Sequence, residues 1–134
     1  MKKLAFIFVA TLLLGWTACD NSSDDPPTPV EDYTVKYSVV STGSVNMDTI
    51  KYMDADGTEK YLLGEANFEH SFVQPSNNYH GKIYISGTIE NGSCNYSLTV
   101  QNKDGGIISY NGKENSATSP YSFQWLGEYI HTED

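Results

Sequence analysis

Alternation of hydrophobic and polar residues with a period of two dominates the chain from Tyr33 onward. The first run alternates polar residues with Tyr33, Val35, Tyr37 and Val39, and similar runs cover 68–72, 83–89, 94–101 and 121–125. A period of two places successive side chains on opposite faces of a β-strand. No segment of this region carries the sustained 3.6-residue stripe of an amphipathic helix. The pattern therefore predicts an all-β domain.

Turn signals separate these runs. They are Asp54-Ala55-Asp56-Gly57, Glu90-Asn91-Gly92, Lys103-Asp104-Gly105-Gly106 and Tyr110-Asn111-Gly112, with Pro75-Ser76-Asn77-Asn78 as a further loop. Glycine after Asn, Asp or Gly supplies the positive φ angles that tight hairpins need. One run changes phase between Met47 and Ile50, which predicts a β-bulge near Asp48-Thr49. We expect an immunoglobulin-like antiparallel β-sandwich of seven to nine short strands, with a small β-barrel as the alternative.

The first 18 residues have the composition of a signal peptide. Lys2 and Lys3 precede an apolar run from Leu4 to Leu14. Eleven helical residues span about 16 Å, roughly half the apolar thickness of a bilayer. The run is therefore too short for a stable membrane span and fits the core of a secretory signal.

The segment Leu14-Gly15-Trp16-Thr17-Ala18-Cys19 resembles the lipobox of bacterial lipoproteins, although Trp16 is an unusual occupant of its position. In that family the cysteine is lipidated, with acyl chains such as palmitate, and becomes the first residue of the mature protein. The resemblance implies lipidation of Cys19 and a stable outer-membrane anchor, because two or more acyl chains hold a protein firmly on a bilayer. An ordinary secretory signal followed by a coincidental cysteine is the alternative.

Residues 19–32 are predicted to form the lipidated cysteine and a disordered acidic, proline-rich tether, and residues 33–134 the sandwich domain with a frayed C-terminal tail. Ser22-Ser23-Asp24-Asp25 resembles the export signal of Bacteroidetes lipoproteins. This resemblance implies exposure on the cell surface. An anchor that faces the periplasm remains the alternative.

Charge narrows the range of partners. The chain has no arginine, and removal of the signal peptide leaves six lysines against 17 acidic residues, a net charge of −11. Such a chain repels phosphate backbones, so we expect no nucleic-acid partner. The charge favours either a basic partner or simple solubility.

The residues that could carry chemistry form no recognisable catalytic or metal site in the sequence. Lipidation of Cys19 leaves Cys94 without a partner in the chain, and its phase with Tyr96 and Leu98 predicts a buried, inert thiol rather than a nucleophile paired with His70 or His80. The spacing of the histidines, including His131, assembles no metal site. The acidic group Asp54, Asp56 and Glu59 fits a hairpin turn better than a calcium loop. We therefore expect no enzyme activity and no cofactor.

Ten tyrosines exceed what one core face accommodates, so some should be exposed. Exposed tyrosines stack on sugars or pack against partners, and the candidate ligand contacts are Tyr52, Tyr84 and Tyr110. Tyrosine is also a good strand former, which gives these residues a purely structural alternative. Asp48-Thr49-Ile50 resembles the pattern on which Bacteroidetes O-glycosylate exported proteins, which makes Thr49 a candidate modification site.

The strand and turn stretches Ile50-Lys51-Tyr52-Met53-Asp54-Ala55-Asp56-Gly57, Lys82-Ile83-Tyr84-Ile85-Ser86-Gly87 and Tyr96-Ser97-Leu98-Thr99-Val100 resemble small β-sandwich lipoproteins of Bacteroidetes that have no assigned activity. A fainter resemblance is to MmpS-type accessory proteins of lipid exporters, which use a transmembrane helix instead of a lipobox. We expect a non-enzymatic binding module on the cell envelope with a protein or glycan ligand. An acidic inhibitor of a basic enzyme such as lysozyme, or a glycan-binding module, is the alternative.

Overall fold

The computed structural model describes residues 32–75 and 78–132, which form antiparallel β-strands and the turns between them. The strands are β1 (Asp32–Met53), β2 (Glu59–Leu62), β3 (Phe68–Pro75), β4 (Asn78–Gln101), β5 (Ile107–Ala117) and β6 (Tyr121–Thr132). Residues 1–31 contain the predicted signal peptide, Cys19 and nearly all of the tether, and these predictions lie outside the described residues.

Two long strands organise the molecule. β1 and β4 are 22 and 24 residues long and pair with each other along most of their length. β3 and β2 pair with successive halves of β1, and β6 and β5 pair with successive halves of β4. The first layer therefore contains β3, residues 32–43, residues 92–101 and β5. The second layer contains β2, residues 45–53, residues 78–89 and β6.

The long strands pass from one layer to the other where two glycines face each other. Gly43 pairs with Gly92, and their φ angles are +79° and +149°. The register shifts between Ser44 and Val45, and again between Met47 and Thr49. The second shift confirms the β-bulge that the change of phase predicts. Bulges bend a strand and increase its twist, so these irregularities lie where the sheet folds over.

The core lies between the two layers. The fully buried side chains are Val35, Tyr37, Val39, Ile50, Ile83, Ile85, Ile89, Cys94 and Val100. The Tyr37 hydroxyl links the layers, because it donates to the Met53 carbonyl oxygen at 2.8 Å and accepts from the Lys82 backbone N–H at 3.3 Å. Burial of a large apolar side chain stabilises the folded state by about 1.5–3 kcal/mol. This layer contact therefore provides most of the driving force for folding.

The structure confirms the all-β class, the antiparallel pairing and the sandwich-like arrangement. The described residues form six strands instead of seven to nine, because β1 and β4 each run through both layers. The turns that end at Gly57 and Gly105-Gly106 are confirmed. The turns predicted at Glu90-Asn91-Gly92 and Tyr110-Asn111-Gly112 are wrong, since those residues lie inside β4 and β5. Each of these segments keeps its strand pairing instead of reversing direction.

Candidate functional site

The three tyrosines predicted as ligand contacts lie in three separate places. Tyr52 lies between the layers, with its ring centroid 4.9 Å from that of Phe68 and 5.6 Å from that of Tyr37. Burial raises the pKa of its hydroxyl. Tyr84 lies on the outer face of the second layer and Tyr110 on the outer face of the first, because their strand neighbours on either side point the opposite way. The structure therefore does not join these residues into one surface.

The outer face of the first layer carries a shallow polar trough of about 260 Å³. Its floor consists of small residues, since Ser38 pairs with Ser97, and Ser97 pairs with Gly112. Tyr110 forms one wall, and its ring lies over the backbone of Gly112. The ring thereby shields an edge-strand glycine from solvent, which is a structural role for this exposed tyrosine.

The outer face of the second layer carries a more apolar surface. Lys51 pairs with Tyr61 on one side and with Tyr84 on the other, and Tyr84 pairs with Leu126. Four neighbouring strands thus place four side chains in one line across the sheet. Tyr61 is 59% exposed and Leu126 is 49% exposed. With Thr49 and Lys82 these side chains line a groove of about 390 Å³, which we call the tyrosine groove.

The charges around the tyrosine groove are largely paired. The Lys51 ammonium lies 3.0 Å from a Glu59 carboxylate oxygen and 5.0 Å from the centroid of the Tyr61 ring. Hydrogen bonding between the two charged groups raises the pKa of Lys51 and lowers that of Glu59. Lys82 has no such partner among the described residues. The ion pair and the cation–π contact both hold Lys51 against Tyr61.

Thr49 lies at the margin of the tyrosine groove and is half-buried. Asp48, the residue before it, is the extra residue of the β-bulge, and Ile50 after it is fully buried. The bulge therefore sets the direction of the Thr49 side chain. A group attached to the Thr49 hydroxyl would occupy the same face as the groove.

A second cluster joins His70 to the turn between β1 and β2. His70 Nε2 lies 2.9 Å from Asp54 Oδ1, and the imidazole ring packs beside Tyr52 and Phe72. The hydrogen bond to His70 is the largest cause that lowers the pKa of Asp54. The predicted hairpin turn is confirmed, since Asp54 N–H donates to the Thr58 carbonyl oxygen at 2.9 Å. The pair therefore fastens the turn to the first layer.

The described residues assemble no catalytic set around Cys94. Its thiol is fully buried and accepts a hydrogen bond from Ser41 Oγ at 3.4 Å, and burial raises its pKa. His70 contacts Asp54, and His80 contacts Glu128 at 2.6 Å. The predicted burial of Cys94 is confirmed. Within residues 32–75 and 78–132, no three His, Cys, Asp or Glu side chains are grouped to hold a metal ion.

The sequence does not reveal that Lys51, Lys82 and Leu126 lie on one surface. The signal is their phase, because Leu126 alternates with the inward-facing Trp125 and Lys82 with the buried Ile83. Phase alone gives the face of each residue, whereas the register between strands gives their alignment. Comparison of the chain with protein-family models and with curated proteins finds no match. The described residues contain no apolar helix of membrane-spanning length.

Proposed function

We propose that this protein is a non-enzymatic, lipid-anchored binding module of the outer membrane that holds its ligand in the tyrosine groove. The observation that carries the proposal is the line of the exposed Tyr61 and Leu126 with the half-buried Tyr84, on a layer whose other face already packs into the core. Apolar side chains grouped on a surface mark interaction sites more often than isolated ones do. The surface lies on rigid paired strands, which limits the entropy lost on binding.

The lipobox-like segment and the acidic tether supply the anchoring part of the proposal. A lipidated Cys19 followed by 13 residues to Asp32 would hold the domain up to about 45 Å from the bilayer. The domain would then meet its ligand clear of the membrane surface. O-glycosylation of Thr49, which the sequence pattern favours, would compete with a ligand for the groove.

A glycan array and a lysozyme-binding assay test the proposed surface. The mature chain with Cys19→Ser is compared with a variant that also carries Tyr61→Thr and Tyr84→Thr, because threonine keeps the β-propensity and removes the ring. We expect the double substitution to abolish glycan binding. Tyr110→Thr, on the opposite outer face, is the matched control and should leave binding unchanged.

The alternative to a glycan ligand is a basic protein partner, which the negative net charge of the chain would favour. Lysozyme serves as the test case for this alternative. Binding to lysozyme that weakens with salt and is unchanged by the double substitution would contradict the proposed surface, because long-range charge would then carry the interaction. Protease treatment of intact cells, followed by blotting for this protein, tests its location. Loss of the signal supports surface exposure, and protection of the protein supports the side facing the periplasm.

A further inference from the structure

Lys82 places a positive charge at the tyrosine groove, and this charge is one of the causes that lower the pKa of Glu59, after the hydrogen bond to Lys51. Lys82 makes no ion pair with any residue that the structure describes. Glu59 is bound by Lys51 at 3.0 Å. Glu128 lies opposite Lys82 on β6 but hydrogen-bonds His80 Nε2 at 2.6 Å. In a chain with a net charge of −9, this groove therefore offers an ammonium group to a ligand.

The rest of the groove is suited to a flat apolar surface with polar edges. Tyr61 and Tyr84 present rings and Leu126 presents methyl groups, while the Thr49 hydroxyl lies at the margin. Small-ligand sites typically combine an apolar lining with a few polar groups that fix orientation, in volumes of about 300–1,000 Å³. The groove, at about 390 Å³, lies within this range.

The dimensions of the groove favour a small ligand over a protein. Its line of side chains crosses four strands, and three spacings of about 4.8 Å give a length of about 14 Å. A stable protein interface buries about 800 Å² on each partner, far more than a strip of this length provides. A ligand of one or two sugar units is of the size that such a site holds.

We propose that the tyrosine groove binds a sugar that carries a carboxylate, with Lys82 as the partner of that carboxylate. This inference rests on the proposed function and specifies its ligand class. The apolar C–H face of a sugar ring packs on Tyr61 or Tyr84, and its hydroxyl groups lie toward Thr49. Lysine serves this role as a compact point charge, and a charge-assisted hydrogen bond is roughly twice as strong as a neutral one.

Calorimetric titration with matched sugars tests the inference. The probes are oligosaccharides that contain glucuronic, galacturonic or sialic acid, each compared with its own methyl ester. We expect at least one acid to bind, and its methyl ester to bind about tenfold more weakly, since esterification removes one charge-assisted hydrogen bond. Lys82→Met should weaken binding of the acid about tenfold and leave binding of the ester unchanged.

Lys103→Met is the matched control, because it removes the same charge from the β4–β5 turn of the other layer and should change neither affinity. Lys82→Gln is the second variant, and circular dichroism confirms that each variant is folded. Equal affinity for acids and esters, or no effect of either Lys82 substitution, would overturn the inference. In either case the sugars still bind. If Tyr61→Thr combined with Tyr84→Thr then abolishes their binding, the proposed function still stands. Absence of binding by every acidic sugar would also overturn the inference.

Discussion

Tyr84 lies on the proposed ligand surface, and the residues directly before and after it lie in the core. Ile83 and Ile85 are fully buried, whereas Tyr84 between them lies on the outer face. The same rule assigns Tyr52 to the inner side, because the bulge at Asp48 reverses the phase of the residues that follow. Alternation thus predicts the face of a tyrosine once every bulge before it is located.

The Asp54–His70 pair gives a prediction about pH. The pKa of Asp54 in the folded protein lies below its ordinary value of 3.8, mainly because of the hydrogen bond to His70. Its contribution to stability is therefore complete above this ordinary value and is lost as the pH falls through the lower folded-state pKa. Both side chains are partly exposed, so we expect a contribution of at most about 1 kcal/mol.

Thermal unfolding of Asp54→Asn across pH tests this contribution. Asparagine keeps an oxygen that accepts from the Ala55 N–H but lacks the charge. We expect the variant to unfold a few degrees below the parent at pH 6 and to match it near pH 2. Asp104→Asn, in the β4–β5 turn and without an ion pair among the described residues, is the control. A difference between Asp54→Asn and the parent that is the same at every pH would contradict the role of the charge.

Among the elements, β4 shows most clearly which features the local sequence does not predict. Its 24 residues include Glu90-Asn91-Gly92, which has the composition of a hairpin turn but forms a bend in a continuous strand. A glycine with positive φ serves both purposes. The distinction depends on Gly43, which lies 49 positions earlier and directly opposite in the pairing. Local sequence carries no information about that partner.

The glycine bend predicts a large effect of one methyl group. A Cβ at Gly92 would collide with the Thr42 carbonyl oxygen on the paired strand, at a φ of +149°. We expect Gly92→Ala to lower the free energy of unfolding by about 2–4 kcal/mol, measured by urea denaturation. Gly105 also has a positive φ, +81°, but a Cβ added there would have no atom within 4 Å. Gly105→Ala should therefore lower the free energy of unfolding by only about 1 kcal/mol. If both variants lost the same free energy of unfolding, the close contact between the two strands at Gly92 would not contribute to the effect.

Some features of the candidate site depend on neighbouring residues, and others depend on residues that are far apart in the sequence. The turns at Gly57 and Gly105, the strand phase, the bulge and the burial of Cys94 follow from neighbouring residues, and the sequence predicts them. The tyrosine groove combines side chains from β1, β2, β4 and β6. Their alignment depends on the register of three strand pairs, which no local pattern specifies. Phase and residue type therefore single out Tyr84 as a candidate, whereas only the register brings Lys82 and Leu126 beside it.

The whole molecule, as proposed, consists of a lipid anchor at Cys19, a tether and a β domain that carries the tyrosine groove. The acidic balance of the chain favours either a basic partner or simple solubility, and a net negative charge disfavours anionic polymers as ligands. The tyrosine groove adds one positive charge, that of Lys82, beside the Lys51–Glu59 ion pair. If the groove binds an acidic sugar as proposed, the negative charge of the rest of the chain would disfavour other anionic ligands, which is a route to specificity in a small domain.

Mapping of amide chemical shifts during a ligand titration tests whether the tyrosine groove is the binding site. The mature chain with Cys19→Ser is titrated with the oligosaccharide that binds most tightly on the array. We expect the shifted amides to cluster in the groove, at Thr49, Lys51, Tyr61, Lys82, Tyr84 and Leu126. Shifts confined to the trough at Ser38, Ser97 and Gly112, on the opposite outer face, would contradict this binding site.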